Sequence, residues 1–101
     1  MNDTAAYVST FQAKAGSERL LEHELQRLVS FTRRERSCLF CDLFRLSKDK
    51  TVFVVHSVWS SREVWLSRDG WENHPAGIGL LDQCLSRPVE VVAMDAMEEV
   101  A

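Results

Sequence analysis

Thr51-Val52-Phe53-Val54-Val55-His56-Ser57-Val58-Trp59-Ser60-Ser61-Arg62-Glu63-Val64-Trp65-Leu66 is the stretch on which the reading of this chain turns. From Thr51 to Trp59 the residues are β-branched or aromatic almost without a break, which suits a pleated, packed surface and predicts a strand. Alternation sets Val52, Val54, His56 and Val58 on one face and Phe53, Val55, Ser57 and Trp59 on the other. A strand apolar on both faces needs cover on both. Ser60, with Glu63 three residues on, has the form of a capping box and predicts a helix immediately after Trp59. Asp69-Gly70 stops that helix early.

Before this stretch, Ser47-Lys48-Asp49-Lys50 reads as a polar hairpin turn, and Cys38 to Leu46 as the antiparallel strand it joins. Leu21, Leu25, Leu28, Val29 and Thr32 fall at helical spacing and predict one buried stripe. Ser17 stands where an N-cap is wanted, with Glu18 and Glu22 in the first turns and Arg33 and Arg34 at the end, matching the helix dipole. Tyr7 to Ala13 alternates as a first strand, broken by Ala15-Gly16-Ser17. After the central stretch, His74-Pro75 opens a second helical segment, with Ile78, Leu81 and Leu85 on its apolar side. Pro88 to Met97 reads as the last strand. The order is strand, helix, strand, strand, broken helix, strand. This α+β pattern predicts a ferredoxin-like βαββαβ fold, a four-stranded antiparallel sheet with helices on one face. The uncovered apolar face then predicts a homodimer packed sheet to sheet.

The chain has 101 residues, 46% of them apolar and 27% charged, which reads as one globular domain over 1–101 with loose ends at 1–5 and 98–101. A net charge of −3 argues against a nucleic-acid partner, which calls for a basic face. Arg33, Arg34 and Arg36 make the one basic cluster, read as a solvated helix end. No apolar run approaches the ~18 residues of a membrane span, and the N-terminus lacks the form of a signal peptide, so a cytoplasmic location is the default expectation. Three cysteines without a framework fit reduced thiols. Cys38 and Cys41 spell Cys-x-x-Cys, but strand alternation predicts opposite faces for them and discounts a joint site. No metal or cofactor motif has credible spacing.

Leu28-Val29-Ser30-Phe31-Thr32-Arg33-Arg34-Glu35-Arg36-Ser37-Cys38-Leu39-Phe40-Cys41-Asp42-Leu43-Phe44-Arg45 resembles the Thr-Arg-x-Glu-x-Gly-Cys-Leu-x-Tyr-Asp signature of the antibiotic biosynthesis monooxygenase family. Ala15-Gly16 stands at that family's Pro-Gly turn, and Trp59 at its tryptophan before a turn and helix. The resemblance runs from Tyr7 to Val92 and implies a ferredoxin-like dimeric α/β barrel. It covers cofactor-independent oxygenases of polyketide aromatics, quinol oxygenases, haem-degrading relatives and isomerases. Fold membership does not choose among these. This chain departs from the pattern at Ser37 (glycine), at Cys41 (tyrosine) and at Ser57, where many members carry glutamate. Arg68 takes the place of a histidine, or of the tryptophan of haem-degrading members, and Glu72-Asn73-His74-Pro75 rewrites the Thr-Pro-His element.

Trp59 and Trp65 either line an apolar pocket that stacks a flat aromatic ligand or pack the core. Trp71 reads as structural. His74 is the candidate proton acceptor and Arg68 the candidate partner of an anionic oxygen; the alternatives are a capping or surface histidine and a helix-surface arginine. His56 and Tyr7 are candidate ligand contacts, against a hydrogen-bonded buried histidine and a packed tyrosine with a satisfied hydroxyl. Ser9 shares the Tyr7 face, and His23 lies on the exposed side of the first helix. The function expected is cofactor-independent oxidation of an electron-rich aromatic such as a quinol or polyketide phenol. A ligand-binding or sensing dimer without turnover is the alternative, and haem degradation ranks below both.

Overall fold

The computed structural model of the chain describes residues 4–66 and 81–97. Its elements are β1 (Ala5–Gln12), α1 (Glu18–Thr32), β2 (Cys38–Arg45), β3 (Val52–Trp59), α2 (Arg62–Leu66), α3 (Leu81–Cys84) and β4 (Glu90–Asp95). The strands form one antiparallel sheet in the order β2-β3-β1-β4. This is the ferredoxin-like arrangement that the strand and helix order implies.

β3 is central, and its two faces part as the alternation predicts. Phe53, Val55, Ser57 and Trp59 are all buried, and their partners on β1 are Phe11, Ser9, Tyr7 and Ala5 in that order. Against this face α1 lays Leu21, Leu25, Leu28, Val29 and Thr32, every one buried. α3 adds Leu81 and Cys84, and Leu85 follows. Burying a leucine is worth about 1.5–3 kcal/mol, against about 0–1 kcal/mol for an exposed ion pair such as Arg45–Glu22. The apolar stripe, not surface charge, therefore fixes α1 on the sheet.

Several local signals resolve differently from their sequence patterns. Ser17 sits at the N-cap of α1 without a side-chain capping bond; its carbonyl accepts from Leu21 N at 2.9 Å. Gly16 just before it has φ +88°, a conformation that favours glycine. α2 starts at Arg62 and is capped by Ser61, whose Oγ accepts from Val64 N at 3.2 Å. Ser60 is not the cap; its N–H donates to the Ser37 carbonyl at 2.9 Å, which ties the end of β3 to the entry of β2. The turn before β3 is closed by Asp49, whose Oδ1 accepts from Thr51 N (3.0 Å) and Thr51 Oγ1 (2.6 Å). These bonds, hydroxyl first, lower the Asp49 pKa.

The expected alternation along β2 is corrected by a bulge between Cys38 and Phe40. Cys38 pairs with Trp59 and Cys41 with Ser57, and both of those partners point to the helix side. Directly paired residues share a face, so Cys38 joins Cys41 and Leu43 there, and Leu39 becomes the extra residue. The prediction that the two thiols lie on opposite faces fails at this one inserted residue.

Arg33 closes the end of α1 onto the same strand. Its Nε donates to the Cys41 carbonyl at 2.7 Å and its Nη2 to Asp42 Oδ1 at 2.8 Å. Arg34 lies over the Phe31 ring at 6.0 Å. Two of the three cluster arginines thus serve local structure, and the nucleic-acid reading gains nothing from them. No described helix is long and apolar enough to cross a membrane.

Among the described residues, no element covers the far face of the sheet. Phe40, Phe44 and Val92 are exposed there, at 45%, 54% and 48%. Val8, Val54 and His56 lie between them, only part buried.

Candidate functional site

An aromatic group closes the end of the helix-side face, where β1, β3 and α2 meet. Ala5, Tyr7 and Trp59 form its buried floor, with Cys38, Val64 and Trp65 packed around them. The capped turn after Trp59 reverses the chain so that α2 lays Trp65 back over β1. Tyr7 and Trp65 stack with ring centroids 4.3 Å apart and planes at 21°, and Trp59 meets Trp65 at 5.6 Å and 53°. Offset and tilted contacts of this kind suit aromatic quadrupoles. Trp59 is fully buried, and its Nε1 donates to Ser57 Oγ at 3.0 Å. Trp65 is only half-buried, so of the three rings it is the one open to a ligand.

Tyr7 is 3% exposed, and its hydroxyl has no hydrogen-bond partner among the described residues. A buried hydroxyl left unmatched costs about 1–3 kcal/mol, so its presence asks for a function. Burial pushes the phenol pKa up, and the Arg62 guanidinium opposes that shift. Tyr7 therefore stays protonated at neutral pH. In that form it can donate a hydrogen bond and cannot act as a base. Arg62 brings positive charge to the same end of the sheet, held by Asp95 through Nη2 to Oδ1 at 2.8 Å.

Three of the sequence candidates, Tyr7, Trp59 and Trp65, are brought together. His56 is not: it lies on the opposite face of β3, cross-strand from Asp42, its ring 5.5 Å from Phe40. The sheet stands between it and the aromatic group. The alternation that put His56 with the valines already separated it from Trp59. His74 and Arg68 lie outside the described residues, as does Trp71. Arg62 was missed in the sequence. Its signal was its position at the start of the predicted helix, next to the strand end that carries Trp59. Ser57 was noted only as a departure; its hydroxyl, fully buried, is the acceptor for the Trp59 indole.

Among the described residues no cluster of three or more His, Cys, Asp or Glu is arranged to hold a metal ion. A groove of ≈ 240 Å³ between α1 and β2, lined by Glu22, Gln26, Leu43, Phe44, Arg45 and Phe53, is remote from the aromatic group.

The fold has counterparts among solved structures. A Pseudomonas aeruginosa protein, PA3566, superposes with a TM-score of 0.82 at 24% identity, covering 97% of this chain and 98% of that one. The Mycobacterium tuberculosis protein Rv0793 gives 0.81 at 21% identity, over 97% and 99% of the two chains. SnoaB, a cofactor-independent oxygenase from Streptomyces nogalater, gives 0.74 at 19% identity, over 97% of each chain. These likenesses establish the fold. No curated protein matches at the sequence level. The sequence model described as antibiotic biosynthesis monooxygenase matches residues 5–76, most of the chain and the whole of the aromatic site. The chain belongs to the antibiotic biosynthesis monooxygenase family.

Proposed function

We propose that this protein is a cofactor-independent monooxygenase that oxidises an electron-rich aromatic, a quinol or polyketide-type phenol, held against Trp65. The observation that carries the reading is the buried Tyr7 hydroxyl, partnerless among the described residues and stacked under the half-buried Trp65 ring. A flat substrate covering Trp65 would bring its own oxygen to that donor. Family membership and the likeness to SnoaB support the reaction class.

In the proposed chemistry the bound phenol loses its proton, and the resulting anion is rich enough in electrons to reduce dioxygen by one electron. The two radicals combine at carbon and the peroxide collapses. For an anthrone the CH2 group becomes C=O; one oxygen atom stays on carbon and the other leaves as water with the two hydrogens. Tyr7, as a donor, and the Arg62 charge stabilise the anion without moving during the reaction. His74 is proposed as the proton acceptor, and Arg68 as a second cation toward the anionic oxygen. No metal or flavin is needed for these steps.

The test is oxygen uptake by metal- and flavin-free protein over a panel of hydroquinones, anthrones and naphthols. Turnover of at least one compound, lost in Trp65→Ala, is expected. No uptake with any of them would refute the reading. The second reading, a binding dimer without turnover, draws on Ser57, whose hydroxyl is occupied by Trp59 where many relatives hold an acid. It predicts a ligand that survives aeration unchanged.

The active form is proposed to be a homodimer joined through the far face. Exposed Phe40, Phe44 and Val92 beside Val54 make an apolar surface that a second sheet would cover. Light scattering at micromolar concentration should give twice the chain mass, and Phe44→Asp should shift it to the monomer. A wild-type monomer would remove the dimer from the account.

A further inference from the structure

The β2 bulge places two thiols side by side where strand alternation would part them. Cys38 and Cys41 face the helix side, opposite Trp59 and Ser57. Their partners are two residues apart on a regular strand, so the two cysteines are separated by about 6.6 Å along β2 instead of three residues' rise. That lies within the 4.4–6.8 Å span of a disulfide's Cα atoms, toward its long end. The Cys38 thiol is the main neighbour acting on the Cys41 thiol. Cys38 is half-buried, while Cys41 is 3% exposed. Cys38 also donates to the Phe40 carbonyl at 3.4 Å across the bulge. Cys84, the third free thiol, is buried on α3, away from this pair.

We propose that Cys38 and Cys41 form a dithiol modification site, closed to an intramolecular disulfide by a small-molecule disulfide oxidant and reopened by thiols. The Cys38 thiolate, the more accessible, attacks one sulfur of the oxidant RSSR and releases one thiolate, leaving a mixed disulfide on Cys38. Cys41 then attacks the Cys38 sulfur and expels the second thiolate. Two protein thiols are oxidised and one disulfide is reduced to two RSH, with the protons passing to the leaving thiolates. The neighbouring Cys38 thiol, then burial, push the Cys41 thiol well above its usual pKa, so Cys41 acts second. The half-buried Cys38 sulfur leaves the closed form accessible to reduction by thiols. Because Cys38 packs against the buried cluster of Ala5, Tyr7 and Trp59 as well as the main core, the site sits in the wall of the aromatic group. The inference rests on the bulge and not on the proposed reaction.

Cleavage after Arg36 and Arg45 puts both cysteines in one peptide, residues 37–45, apart from Cys84. The intact protein is treated with excess oxidised glutathione, alkylated, digested and analysed by mass spectrometry. Most of peptide 37–45 is expected to lose two hydrogens and carry no alkyl group, and dithiothreitol should restore a doubly alkylated peptide. In Cys41→Ser the glutathione adduct should persist on Cys38. Stable glutathione on the wild-type peptide, two alkylated thiols after oxidation, or a link to Cys84 would each overturn the proposal. Should Cys41→Ser fail to fold, the wild-type peptide map decides by itself.

Discussion

Trp59→Ala is expected to lower stability by about 3–5 kcal/mol, the largest loss for any single truncation near the site. Trp59 is the largest fully buried side chain of the chain's described residues. It fills the corner between β1, β3 and α2, and its indole N–H is matched by Ser57. Removal leaves a cavity that the sheet cannot close, because the paired strands fix the distances around it. For a domain of this size the midpoint of thermal unfolding should fall by about 12 °C or more at fixed protein concentration. Trp65→Ala, at a half-buried position on a five-residue helix, should cost distinctly less. Equal losses at the two positions, measured by calorimetry, would contradict the division into a structural and a ligand-facing tryptophan.

Tyr7→Phe is expected to move stability and activity in opposite directions. The hydroxyl is buried without a partner among the described residues, so its loss should leave stability unchanged or raise it by up to about 1 kcal/mol. The same change removes a donor to a charged oxygen, worth about 1.5–3 kcal/mol, so kcat/KM toward a phenolic substrate should fall about 10- to 100-fold. A group that costs stability in the free protein and returns it on the substrate is what a site residue looks like. The pH dependence has a definite sign. Burial raises the folded Tyr7 pKa above its ordinary 10.0, so its contribution is complete below that pH and is lost as pH rises beyond it. Tyr7→Phe should remove that alkaline loss. A variant destabilised in the neutral range with unchanged kcat/KM would show instead that the hydroxyl is structural.

The architecture was legible because its signals are periodic and mutually consistent. The leucine stripe of α1 and the doubly apolar β3 need only the periods of 3.6 and 2, and both elements stand where those periods put them. The site was legible in part. Trp59, Trp65 and Tyr7 could be named as aromatics near a strand end, but their stacking depends on where α2 turns back, which no local pattern encodes. What broke the local rules was irregularity of one residue. The inserted Leu39 reversed the side of Cys38, and the cap of α2 falls on Ser61 while Ser60 is tied to Ser37. Both are tertiary outcomes that override propensity. The face of the sheet that holds the aromatic group also required the structure, since helix cover on Tyr7 and not on His56 follows from the packing of α1 and α2.

The most direct test of the account is the position of a bound substrate analogue in a crystal structure of the protein grown with an oxygen-stable naphthol. The account predicts the naphthol ring against Trp65 on the helix side of the sheet, with its oxygen within hydrogen-bond distance of the Tyr7 hydroxyl. A ligand seated on the far face beside His56, with the Tyr7 hydroxyl still unmatched, would contradict it.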